Sequence, residues 1–253
     1  MSKLMDKLRE LDKVVTQPIG FKRAEVETKS LTMLLMVDID GKTEVEVRKA
    51  MELGISGCVV KSGSLDANSS IKALSGVPVG LILDNNKPIN AVKPEENNID
   101  FVIFDLELPL VTLNEKRLGN PAKLLKLELN TEASLLSAVN NFYFPIDSVL
   151  VDLGVADMNI ANILNCQRIS DITGKPLIVQ VNKLLETVEL MWLRELGVKG
   201  VLLSEGFLFD DLTLMAGNIA SLPKVVRHEK NRPVLLPRIS SVAEEDTGNE
   251  DDE

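Results

Sequence analysis

Glu52-Leu53-Gly54-Ile55-Ser56-Gly57-Cys58-Val59-Val60-Lys61-Ser62-Gly63 returns near the other end of the chain as Glu195-Leu196-Gly197-Val198-Lys199-Gly200-Val201-Leu202-Leu203-Ser204-Glu205-Gly206. Each copy reads as a helix end, a glycine cap, a short buried strand and a polar strand tip. Glycine just past a helix supplies the left-handed residue that ends it. The β-branched run that follows suits a strand buried on both faces. Recurrence of such a unit within one chain predicts a cyclic or layered βα array.

Working outward, the alternation begins at residue 31. Strands are predicted over 31–38, 55–61, 78–83, 101–106, 123–129, 147–152, 176–181 and 199–204. Helices are predicted over about 43–53, 65–75, 88–97, 109–118, 131–142, 157–173, 184–196 and 209–221. Thr43-Glu44-Val45-Glu46 has capping-box form at the first of these starts. Pro88, Pro94 and Pro109 weaken the third and fourth. The two copies of the phrase lie six βα steps apart, about 24 residues each, a compact period with short loops. Eight strands of one direction with right-handed crossovers close into a (β/α)₈ TIM barrel. A doubly wound open sheet is less favoured, because no G-x-G-x-x-G turn follows the first strand.

The flanks differ from this core. Residues 1–30 read as a helix over 3–15, with Leu4, Met5, Leu8, Leu11, Val14 and Val15 at helical spacing, and then a loop. The helix could plug one end of the barrel or pack on a second subunit of a homo-oligomer. The barrel takes residues 31–222. Residues 223–253 form an extension, with Lys224, Arg227, His228, Lys230, Arg232 and Arg238 around the apolar Pro233 to Pro237. From about residue 244 it is an acidic run, EEDTGNEDDE, that cannot bury itself and is expected to be disordered.

At 253 residues the chain has the length of one such barrel, and its 45% hydrophobic but only 4% aromatic content implies an aliphatic core. A formal net charge of −10 repels phosphate backbones and argues against nucleic-acid binding. Two cysteines, Cys58 and Cys166, fall in buried elements and make no disulfide framework, as in a reduced, cytoplasmic protein. No apolar run of membrane-spanning length and no apolar leader core is present, so no membrane association and no secretion are expected.

Chemistry in this architecture sits at the C-terminal ends of the strands. Those tips are polar here: Asp38 and Asp40, Lys61 and Ser62, Asp84 with Asn85 and Asn86, Asp105 and Glu107, Glu128 and Asn130, Asp152, Gln180 with Asn182 and Lys183, and Ser204 and Glu205. Alternation puts Asp38 with Asp40, Asp105 with Glu107, and Gln180 with Asn182 on shared faces. Lys61 can clamp an anion, deliver a proton or, if desolvated, act as a Schiff-base nucleophile. Asp38 and Asp105 can handle protons, and with Glu107 they could hold Mg²⁺ or Mn²⁺. Asp84, Gln180, Asn182, Lys183 and Ser204 would contact a substrate. Against this stands the plainer reading, in which such residues only start solvated loops. The sole histidine, His228, lies beyond the last predicted helix, which excludes a histidine base or ligand in the barrel. Zinc is disfavoured for the same reason. The loops after strands seven and eight are poor in glycine, which weakens the phosphate signal. Trp192 and Met191 read as helix packing or an exposed contact for a partner.

The E-L-G-[IV]-x-G-[CV]-[VL]-[VL] phrase leading into strands resembles the aldolase-type barrels, including the ribulose-phosphate-binding group, over about residues 31–221. Asp38 and Lys61 are similar to the first tips of orotidine-phosphate-decarboxylase-type sites. Those sites also carry an Asp-x-Lys-x-x-Asp array at the third strand. Here that strand ends in Asp84-Asn85-Asn86-Lys87, the array is missing, and no decarboxylase function follows. The expectation is a lyase- or isomerase-like enzyme on a small carboxylated or phosphorylated metabolite. The alternative is a non-catalytic barrel serving as a binding or assembly module.

Overall fold

A computed structural model describes residues 2–12, 32–62, 74, 76–84, 98–113, 119–154, 158–204 and 206–223. Eight parallel strands close into a barrel in sequence order: β1 (Leu34–Asp38), β2 (Gly57–Lys61), β3 (Val79–Ile82), β4 (Phe101–Phe104), β5 (Ala122–Glu128), β6 (Ser148–Asp152), β7 (Leu177–Val181) and β8 (Val198–Leu203). All eight fall within a residue of, or inside, the predicted strands. The ladder is regular except for a shift between Leu177 and Ile178 where β7 meets β8.

Helices α1 (Lys3–Asp12), α2 (Glu44–Glu52), α3 (Ala133–Asn140), α4 (Ile160–Thr173), α5 (Thr187–Glu195) and α6 (Phe209–Ala220) accompany the strands. The capping box at Thr43 and Glu46 is formed and starts α2. In both copies of the repeated phrase the glycine after the helix is left-handed, Gly54 at φ 80° and Gly197 at φ 96°. Apart from Leu74, the helices predicted over 65–75 and 88–97 lie outside the described residues, as does the acidic tail. Of the helix predicted over 109–118, the described residues up to Leu113 hold a 3₁₀ turn, Leu110–Leu113, and 114–118 lie outside the described residues.

Strand alternation divides the apolar residues into two cores. Outward residues such as Val37, Val60, Leu125 and Val179 pack under the helices. Inward residues Leu34, Met36, Val59, Phe101, Ile103, Leu124, Leu150, Ile178 and Leu202 fill the barrel. Helix α1 joins this second core through Leu4 and Leu8. Its N-terminus is held by Asp100, whose carboxylate accepts from Ser2 Oγ (2.7 Å), Lys3 N (2.7 Å) and Leu4 N (2.9 Å). Lys7 Nζ donates to Ser56 O at 2.8 Å. Asp100 and Ser56 each directly precede a strand, so α1 plugs the end where the strands begin. That selects the first of the two readings of this helix and leaves the opposite end of the barrel as the mouth.

Candidate functional site

Alternation carries the inner core upward to the mouth. Met36, Val59, Leu124, Leu150 and Ile178 are inward, so Asp38, Lys61, Lys126, Asp152 and Gln180, two residues later, face the same way. Asp84, Asp105 and Ser204 stand two residues beyond the inward Ile82, Ile103 and Leu202. Strands β1, β2, β5, β6 and β7 thus each contribute one polar residue to the mouth, joined by Ser204 after β8, over an interior that is apolar among the described residues.

These residues are organised. Asp38 is buried, at 6% exposure, and its Oδ1 accepts from Asp40 N at 2.9 Å. Asp105 Oδ1 accepts from Glu107 N at 3.0 Å, and Asp152 Oδ1 from Gly154 N at 2.9 Å. The same two-residue turn therefore closes three tips, and it is the reason these aspartates sit where strands stop. Lys61 Nζ lies 4.0 Å from Asp40 Oδ2. Lys126 Nζ reaches Asp152 Oδ2 at 2.9 Å. Gln180 Nε2 donates to Ser204 Oγ at 2.9 Å. Lys42 Nζ donates to Phe207 O at 3.0 Å and ties the loop after β1 to the loop after β8. Asp40 Oδ1 and Ser62 Oγ are buried with no hydrogen-bond partner among the described residues.

Some expected positions part from this set. β4 ends at Phe104 and the chain turns at once, so the strand alternation that paired Asp105 with Glu107 stops short of Glu107, which is exposed. β1 likewise ends at Asp38, and Asp40 lies in the turn that follows. Asn182 is exposed beyond β7, and Lys183 Nζ lies 3.6 Å from Glu189 in the first turn of α5. Among the described residues no three His, Cys, Asp or Glu side chains are grouped as a metal ion needs. Asn85, Asn86, Glu205 and His228 lie outside the described residues.

Lys126 is the residue that sequence reasoning overlooked. Its signal was present: a lysine inside the apolar strand 123–129, two positions after Leu124, on the inward face. The other lysine of that strand, Lys123, is outward and buried, with Nζ 4.7 Å from the centre of the Phe144 ring. Both cysteines are core residues, as expected: burial pushes the Cys58 thiol up to about 12 and the Cys166 thiol likewise to about 12. Trp192 is half exposed on α5, while Leu190 and Leu193 beside it are fully buried. Among the described residues no helix is long and apolar enough to cross a membrane.

No family model matches the chain. No curated protein matches it either. Solved structures do. One from Aquifex aeolicus VF5 superposes with a TM-score of 0.60 at 10% identity, covering 87% of this chain and 98% of that one. Aminoacrylate-bound tryptophan synthase from M. tuberculosis gives 0.59 at 11% identity, with the same 87% and 98% coverage. A mutant tryptophan synthase alpha-subunit from Pyrococcus furiosus gives 0.55 at 11% identity, covering 75% of this chain and 96% of that one. At such identities the likeness is one of fold alone, and it agrees with the closed parallel eight-strand sheet in making this chain a (β/α)₈ barrel.

Proposed function

We propose that the mouth binds a small carboxylated or phosphorylated metabolite and acts on it by lyase- or isomerase-type proton transfer. The observation that supports this is the set of inward polar residues at the strand ends, Asp38, Lys61, Lys126, Asp152 and Gln180, facing away from the end that α1 closes. Lys61 and Lys126, on β2 and β5, would meet the anionic groups of the ligand. Asp38, fixed by the Asp40 N–H, would take or return a proton next to them. Among the described residues Asp38, Asp40, Asp84 and Asp152 outnumber Lys61 and Lys126 at this end of the barrel. Mg²⁺ or Mn²⁺ entering with the anion would offset that excess.

A second reading has its own support. Lys126 is already engaged by Asp152, Gln180 by Ser204, and three aspartates close turns. A mouth satisfied from within suits a barrel that serves as a binding or assembly module. The test is a thermal-shift screen of wild type and Lys61→Ala with phosphate, pyruvate, phosphoenolpyruvate and sugar phosphates, each with and without Mg²⁺ or Mn²⁺. A ligand of the native state raises the melting temperature by mass action. A shift in wild type that disappears in Lys61→Ala supports the enzyme reading. No shift with any of these compounds favours the module.

A further inference from the structure

Residues 133–146, which form α3 and the turn after it, carry no charge, and neither do residues 158–167, which open α4. In a chain that is 26% charged these are long neutral stretches. The fold sets them side by side. Helix α3 packs against α4, and Asn140 Nδ2 donates to Ile172 O at 3.1 Å. Arg168, the first charge after the second stretch, is turned back onto the chain before α3, where Nη2 donates to Leu129 O (3.3 Å) and Thr131 O (3.0 Å). What this face exposes is apolar: Leu135, Phe142, Tyr143, Ile160 and Leu164. A cavity of about 370 Å³ beside α3, lined by Phe104, Leu125, Leu135 and Phe142 among others, extends the apolar surface to the exposed Leu110. By contrast, the exposed Val188 and Trp192 of α5 stand between the exposed Glu186 and Glu195.

Size and charge together point to the occupant. More than twenty residues of 110–112, 133–146 and 158–167 are exposed or half-buried. One side of a standard protein interface takes about 20–30 residues. The chain has a formal net charge of −10, so two copies repel wherever their acidic surfaces meet. A two-fold contact lays a patch against itself, and any charge near the axis meets its own kind. A face without charge escapes that repulsion. An unlike partner would be selected by opposite charge, which this face does not offer.

We propose that the face formed by α3 and the start of α4 joins two copies of this chain in a two-fold dimer. Tyr143, fully exposed and next to the cavity-lining Phe142, serves as its aromatic anchor. The interface lies on the outer helices and is independent of what the mouth binds. Sedimentation velocity of the full chain over about 1–100 μM, a range that spans ordinary dimer affinities, is expected to show a reversible dimer. Raising salt from about 0.05 to 0.5 M should tighten it, because screening relieves the repulsion between two acidic chains. Tyr143→Ala and Leu164→Glu are each expected to weaken the dimer about tenfold or more, the first by removing the anchor and the second by setting like charges in the contact. Both positions are exposed, so the monomer should keep its fold, and circular dichroism of each variant checks this. Trp192→Glu on α5 and Leu214→Glu on α6, exposed apolar positions on other helices, should leave the dimer intact. A monomer throughout the range, as a different protein partner on this face would give, overturns the proposal. So does a dimer that weakens with salt, one unchanged in both Tyr143→Ala and Leu164→Glu, or one broken by Trp192→Glu or Leu214→Glu instead.

Discussion

Lys126 Nζ on β5 lies 2.9 Å from Asp152 Oδ2 on β6, and the two side chains, 35% and 33% exposed, bridge neighbouring strands inside the mouth. An ion pair this open to water contributes little to folding, roughly 0–1 kcal/mol. Lys126→Met should therefore lower stability by less than about 1 kcal/mol. Binding of phosphoenolpyruvate should weaken about tenfold in the same variant, through loss of a cationic contact. Urea denaturation and a binding titration on one preparation separate the two effects. A loss of stability near 3 kcal/mol would make the pair structural instead.

Helix α1 should contribute strongly to barrel stability, because Leu8 is fully buried among inward strand residues. Leu8→Ala is expected to cost about 2–5 kcal/mol. Asp100→Ala removes the acceptor that holds the start of α1 and should cost about 0.5–2 kcal/mol. Denaturant midpoints measure both. Near-zero effects would mean the helix rests on the barrel without supporting it.

Burial holds both thiols neutral, so neither cysteine should react with a thiol reagent at pH 8 until the chain unfolds. The same shift has a sign in stability. A thiol raised to about 12 keeps its proton in the folded state while the unfolded chain releases it near the ordinary value of 9.0. The unfolded state then binds fewer protons, so the contribution is complete below that value and falls as pH climbs from 9.0 toward about 12. The stability difference between wild type and Cys58→Ala, followed from pH 8 to pH 11, should shrink as pH rises. A difference that stays constant would show that the thiol is not held neutral.

Gly80 makes room for the ring of Phe101: a Cβ at Gly80 would fall 2.0 Å from Phe101 Cε2. Gly80→Ala should be destabilised by about 1–3 kcal/mol or more. Phe101→Leu in the same chain should recover part of that loss. An additive double mutant would argue that the two positions do not share space.

Much of the architecture was legible because it rests on local periodicity. The glycine that ends a helix, the apolar run that follows it and the polar tip after that run each need only a few neighbouring residues, and all eight strands follow from them. The Thr43–Glu46 cap is likewise local. Site residues were less legible. Asp38, Lys61, Asp84, Asp105, Gln180 and Ser204 were visible as strand tips, whereas Lys126 sat within an apolar run and was passed over. Glu107 and Asn182 were assigned by extending strand alternation past the last strand residue, where a turn cancels it.

The amino-acid sequence by itself determined the order and direction of the elements, since hydrophobic spacing, caps and glycine positions act over a handful of residues. Only the tertiary structure decided which end α1 closes, that Lys126 meets Asp152, and that a cavity opens beside Phe104. Those outcomes depend on barrel closure, which brings together side chains far apart in the chain and sets, by register alone, which of them meet.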